Sequence, residues 1–144
     1  MNIIFQVEGG LGKSIMATAM IKVIKKRYKN SRLIVVTGFQ DVFLNNPDVN
    51  EIYDINNTNG FYLKYIKDQK CKIYVNEPYR TSDFILEKPI HLFKTWCELY
   101  GLSYNNEQPQ IYITQPELDY FKPYYTTDKP ILAIQPLGGP AGLG

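Results

Sequence analysis

The run Glu8-Gly9-Gly10-Leu11-Gly12-Lys13-Ser14 gathers a carboxylate, an ammonium and a hydroxyl on one glycine-rich stretch. Glycines in such a turn let it be tight, and they let backbone N–H groups at the start of a following helix face a bound anion. Lys13 suits anion binding at that helix start. As a protonated amine it cannot act as a general base near neutral pH unless burial lowers its pKa strongly. Glu8 has the opposite competence, to hold a hydroxyl or to take its proton. The catalytic candidates are therefore Glu8 and Lys13, with Gly9, Gly10, Leu11, Gly12 and Ser14 binding substrate. Glu77 joins the substrate-binding set, because it follows the apolar run KIYV and precedes Pro78-Tyr79-Arg80. The sole histidine, His91, is expected to make a local hydrogen bond at a helix start.

These residues need elements to hold them. Ile3, Ile4, Phe5 and Val7 form an apolar run that ends at Glu8, and a helical pattern over residues 14–28 follows, with Ile15, Met16, Ala19, Met20, Val23 and Ile24 on a broad apolar stripe. Strand, glycine turn and helix open an α/β domain of the nucleotide-binding type, whose ligands lie beyond the C-terminal ends of the strands. Residues 32–37 (RLIVVT) read as a strand buried on both faces. A short helix over 40–44 stops near Asn45-Asn46-Pro47, and strands follow at 51–55 and 72–75. Residues 61–67 are ambiguous, and 81–87 are irregular or weakly helical. A helix after Pro89 carries Leu92, Phe93, Trp96, Leu99 and Tyr100 on one face, and Gly101 caps it. Residues 110–114 are strand-like, 116–120 start a helix, 124–130 have linker composition, and 131–135 (ILAIQ) begin a new strand before a glycine turn at Gly138 and Gly139.

Two chemistries compete for the turn. Gly12-Lys13-Ser14 matches the end of a P-loop, but the first glycine of that motif falls on Val7. The turn also resembles the deviant Walker A segment of chromosome-partition ATPases, with Glu8 standing where those carry a lysine. A carboxylate there repels phosphates that a lysine would attract. An ATPase also needs an apolar strand ending in Asp to organise magnesium, whereas RLIVVT ends in Thr37-Gly38.

The second chemistry rests on more of the chain. Residues 3–55, with Asn46-Pro47-Asp48-Val49 leading into EIYDI, resemble the N-terminal half of family 9 glycosyltransferases, the heptosyltransferase-like enzymes. His91-Leu92 opening a helix that ends Leu99-Tyr100-Gly101-Leu102, and then Gln108-Pro109-Gln110-Ile111-Tyr112-Ile113, continue the resemblance in order, as does Lys129-Pro130 before ILAIQPLGGP. The resemblance implies an α/β three-layer, Rossmann-like domain with a mostly parallel sheet, the N-terminal half of a GT-B fold. Residues 1–128 would be the acceptor-side domain and 129–144 the truncated start of a donor-binding domain, with Gly138 and Gly139 as its donor-side turn. The implied reaction moves a sugar from a nucleotide-sugar to a hydroxyl of a glycan or lipid-linked acceptor. It uses no cofactor and no metal, and this chain by itself would be inactive. Where that family commonly carries an aspartate proposed as base, this sequence has Lys13. A non-catalytic binding fragment is the remaining alternative.

Composition narrows the partners. The chain has 144 residues, 44% hydrophobic and 21% charged, which is a soluble globular composition of one ordinary domain. A net charge of +2 is too small to argue for nucleic acid. Lys22, Lys25, Lys26, Arg27 and Lys29 gather at a helix C-terminus, where cations complement the dipole; peripheral contact with an anionic membrane is the second use of such a cluster. Cys71 and Cys97 stand far apart and in no metal-ligand spacing. No run approaches the roughly 20 apolar residues of a membrane span. Cytoplasmic localisation is the expectation, with the inner face of the membrane as an alternative station.

Overall fold

The computed structural model describes residues 1–76, 91–125, 129–132 and 134. The chain divides into two compact units, Met1–Tyr112 and Ile113–Gly144. In the first, β1 (Asn2–Val7) leads through Glu8-Gly9-Gly10 into α1 (Leu11–Arg27), followed by β2 (Arg32–Thr37), a 3₁₀ helix (Gln40–Phe43) and β3 (Glu51–Asp54). Then come α2 (Phe61–Tyr65), β4 (Cys71–Asn76) and α3 (Leu92–Tyr100). The second unit carries α4 (Gln115–Tyr125).

Among the described residues the strands form one all-parallel sheet in the order β3-β2-β1-β4. Successive side chains of β1 point to opposite faces, so it supplies two cores. Ile3, Phe5 and Val7 pack with α1 and with Phe93, Trp96 and Cys97 of α3, whereas Ile4 packs on the other face with Ile34, Val36, Phe61 and Tyr65. Helices therefore lie on both faces, which is why β1 and β2 read as continuous apolar runs. This is the three-layer, Rossmann-like α/β arrangement.

The register sets the level of the functional edge. Val7 lies opposite Thr37 on one side and Asn76 on the other, and Thr37 lies opposite Asp54. Glu8, Gly38 and Ile55, which follow β1, β2 and β3, emerge side by side at a single edge. At the opposite end Asn2 anchors α2, its amide donating to the Tyr65 carbonyl at 2.9 Å and to Gln69 Oε1 at 2.7 Å.

Several elements differ from expectation. Helix α1 begins at Leu11 rather than Ser14, because the Gly10 carbonyl already accepts the Ser14 N–H at 3.1 Å. The ambiguous segment at 61 is helical, entered through Gly60 in the left-handed conformation. In α3 the buried face runs through Leu92, Phe93, Thr95, Trp96 and Cys97; Leu99 sits at its margin, half exposed in the last turn. Residues 110–114 make no strand: the Gln110 N–H is taken by the buried Thr18 hydroxyl of α1 at 2.9 Å, so it joins no ladder. The helix expected to start at 116 runs from Gln115 to Tyr125, into the stretch of linker composition. Thr114 and Glu117 cap it, with the Thr114 N–H and hydroxyl both donating to Glu117 Oε2. Ile131, Leu132 and Ile134 lie in no strand and are exposed, against the expectation of a strand over 131–135. The irregular or weakly helical stretch at 81–87 falls outside the described residues.

Candidate functional site

The order β3-β2-β1-β4 places a switch point at β1: the chain leaves it through α1 to reach β2 on one side, while β4 is added later on the other. In open parallel sheets the crevice at such a point, beyond the carboxyl ends of the strands, is where ligands bind. Glu8-Gly9-Gly10 occupies that position.

Gly9 adopts φ +100°, a conformation closed to ordinary L-residues. The Lys13 side chain folds back across it: a Cβ on Gly9 would stand 2.9 Å from Lys13 Cδ and 3.7 Å from Lys13 Nζ. Turn and ammonium are thus brought together. Glu8 is half buried, and its Oε1 accepts a hydrogen bond from the Gln6 amide. Gly10 is the N-cap of α1 and offers no side chain, and the first helical turn contains no acid. The positive end of the helix dipole is therefore neutralised by nothing within that turn.

The remaining candidates separate by depth. Gly12 is open, since a Cβ placed there would meet nothing within 4 Å, and Leu11 is 51% exposed. Ser14 is fully buried and its hydroxyl donates to the Gly10 carbonyl at 3.4 Å, so it braces the turn from beneath. Glu77, Gly138 and Gly139 lie outside the described residues. Among the described residues His91 makes no side-chain cap bond; its ring stacks on Tyr104 at 5.3 Å and meets Phe93 edge-on.

Sequence reading missed two features of this edge. Beyond β2, a cavity of about 310 Å³ is lined by Leu11, Gly38, Phe39, Gln40, Asp41 and Val42. Its only advance signal was that Gly38 ends a strand beside β1. On the other side Asn76 ends β4 fully buried, with its Nδ2 unpartnered among the described residues. Burial pushes the Tyr100 phenol well above its usual range, so it stays protonated and donates to the Val75 carbonyl at 2.7 Å. One O–H makes one strong bond, so the longer 3.4 Å approach to Asn76 Oδ1 does little for that amide. Among the described residues no group of His, Cys, Asp and Glu could hold a metal ion.

No family model matches the sequence, and no curated protein matches it. A solved structure does: the crystal structure of the glycosyl transferase family 9 from Veillonella parvula DSM 2008, with a TM-score of 0.63 at 15% identity. The fold is glycosyltransferase-like. The match covers 90% of this chain and 51% of that one, so the chain spans about half the length of the structure it resembles. The family that the sequence resembles and the family of the matched structure are the same. Among the described residues no helix is long and apolar enough to cross a membrane.

Proposed function

We propose that this chain is the acceptor-side half of a two-domain glycosyltransferase, acting on a nucleotide-sugar donor and a glycan or lipid-linked glycan acceptor. The observation that carries the reading is the Glu8-Gly9-Gly10 turn, with Lys13 folded over it, at the switch point of a sheet that matches half of a family 9 structure. The acceptor hydroxyl sits over the turn and its oxygen attacks the anomeric carbon. The bond from that carbon to the departing phosphate breaks, the nucleotide leaves, and Glu8 takes the hydroxyl proton. Lys13 and the N-terminus of α1 hold an anionic group of donor or acceptor. The second half supplies the nucleotide site, and residues 129–144 are its beginning. The setting is the cytoplasm, with Lys22, Arg27 and Lys29 available to an anionic membrane surface; Lys25 and Lys26 already bond to the Ser31 carbonyl and Glu107.

The 144-residue chain is expected to transfer no sugar from any nucleotide-sugar by itself, and to gain transfer when fused ahead of the donor half of a family 9 enzyme. A P-loop ATPase behaves differently. Micromolar, magnesium-dependent ATP binding that disappears in Lys13→Ala would overturn the glycosyltransferase reading.

A further inference from the structure

We propose that the cavity between the first turn of α1 and the 3₁₀ helix Gln40–Phe43 is a carbohydrate subsite. It seats one neutral sugar ring of the acceptor, with Phe39 against the apolar face of the ring and Gln40 and Asp41 bonding its hydroxyls. The inference deepens the glycosyltransferase reading and rests on it for the word acceptor; the binding of a sugar ring stands on the cavity itself.

Position comes first. Thr37 lies opposite Val7, so Gly38 and Phe39 leave the sheet beside Glu8 and Gly9, and Leu11 belongs both to α1 and to the cavity wall. A ring held here is contiguous with the turn over which the reacting hydroxyl would sit. Size comes next. At about 310 Å³ the cavity lies at the small end of ligand sites, which run from roughly 300 to 1,000 Å³.

The lining then selects the ligand. Leu11 and Phe39 expose 51% and 38% of their surface, giving an apolar wall with an aromatic face. Asp41 accepts hydrogen bonds, and the Gln40 amide both donates and accepts, which suits neighbouring hydroxyls. Among the described residues Asp41 is the sole charged one of the lining, and it is negative. A phosphate is repelled there and a neutral polyol is not. Anion binding thus falls to Lys13, and ring recognition to this cavity.

The wall is also pre-set. Phe39 N–H bonds the buried Thr37 hydroxyl at 3.1 Å, its carbonyl accepts the Val42 N–H at 3.3 Å, and Val42 and Phe43 are anchored in the core. Little ordering remains to be done when a ring binds.

Saturation-transfer difference NMR on the 144-residue chain, with the methyl glycosides of glucose, galactose and mannose as probes, tests this. Saturation of ring protons is expected for at least one probe. It should fall about fivefold in Phe39→Ala and in Asp41→Asn, a loss on the scale of one net hydrogen bond or ring contact. Tyr62→Ala, which removes an exposed aromatic from α2, should leave it unchanged. Because Phe39 and Asp41 are exposed, both variants should keep the wild-type amide spectrum. Absence of saturation with every probe, or saturation that persists in both cavity variants, overturns the subsite. Phe39-dependent saturation in a chain whose fusion transfers no sugar keeps the subsite and removes the transferase reading.

Discussion

At Gly9 a side chain would be strained twice, by the backbone at φ +100° and by the Lys13 stem 2.9 Å from the new Cβ. Lys13 is flexible and can move aside; the backbone cannot. Gly9→Ala should therefore lose about 1–3 kcal/mol in urea unfolding, and adding Lys13→Ala should not restore it. Gly12→Ala makes the contrast: its Cβ meets nothing within 4 Å and it lies inside α1, so the same measurement should show a gain of roughly 0.5–1 kcal/mol. Cys97 gives a chemical prediction at the same scale. Burial first, then Glu107 and Glu98, push its thiol up to about 11, so at pH 8 in the folded protein it should resist iodoacetamide and react only on unfolding.

The elements are tied together by a few polar groups, and Glu107 is the clearest. Its carboxylate is nearly buried and accepts from Lys26 Nζ at 2.6 Å and from the Asn105 N–H at 2.7 Å, holding the segment after α3 against the end of α1. Burial pushes this carboxyl up, but the Lys26 bond and the backbone bonds outweigh it and leave it below its usual 4.5. A depressed folded value means that the native state binds fewer protons than the unfolded chain. The stabilisation is therefore complete above about pH 4.5 and is lost as pH falls through the folded value. Wild type should exceed Glu107→Gln by roughly 1–2 kcal/mol at pH 7, a modest figure because Lys26 is largely solvated, and the gap should close below pH 4.5. Parallel urea titrations of the two proteins from pH 7 to pH 3 read this directly.

At the scale of the whole molecule, the sheet and the helices that cover it lie within Met1–Tyr112. In the other unit no residue of α4 is buried, and Leu132 is 81% exposed. An apolar tail in this state stabilises little and invites association. Deleting residues 130–144 should shift the thermal midpoint by no more than about 2 °C and reduce aggregation on light scattering. Unfolding of the truncated chain would place the tail in the core of the first domain and move the proposed boundary at residue 128.

Local pattern was enough to determine the opening α/β unit, the bounds of β2 and the glycine cap of α3, because a doubly buried strand must be apolar throughout and a glycine suits a left-handed cap, while the mostly parallel sheet was what the family resemblance implied. The closeness of Gly9 and Lys13 was equally legible, since the turn is continuous in sequence. Tertiary structure decided the rest. Ser14 reads as a ligand of the turn, but its direction depends on where α1 starts, and one added helical turn buries it. The cavity around Phe39 and Asp41 joins β2 to α1 only through the Val7–Thr37 register, which no local pattern encodes. Asn76 lies just past the strand expected at 72–75, and only the folded structure shows that it is buried. Local physics sets which residues can make an element; which of them face one crevice depends on long-range pairing, and that is settled only when the sheet closes around β1.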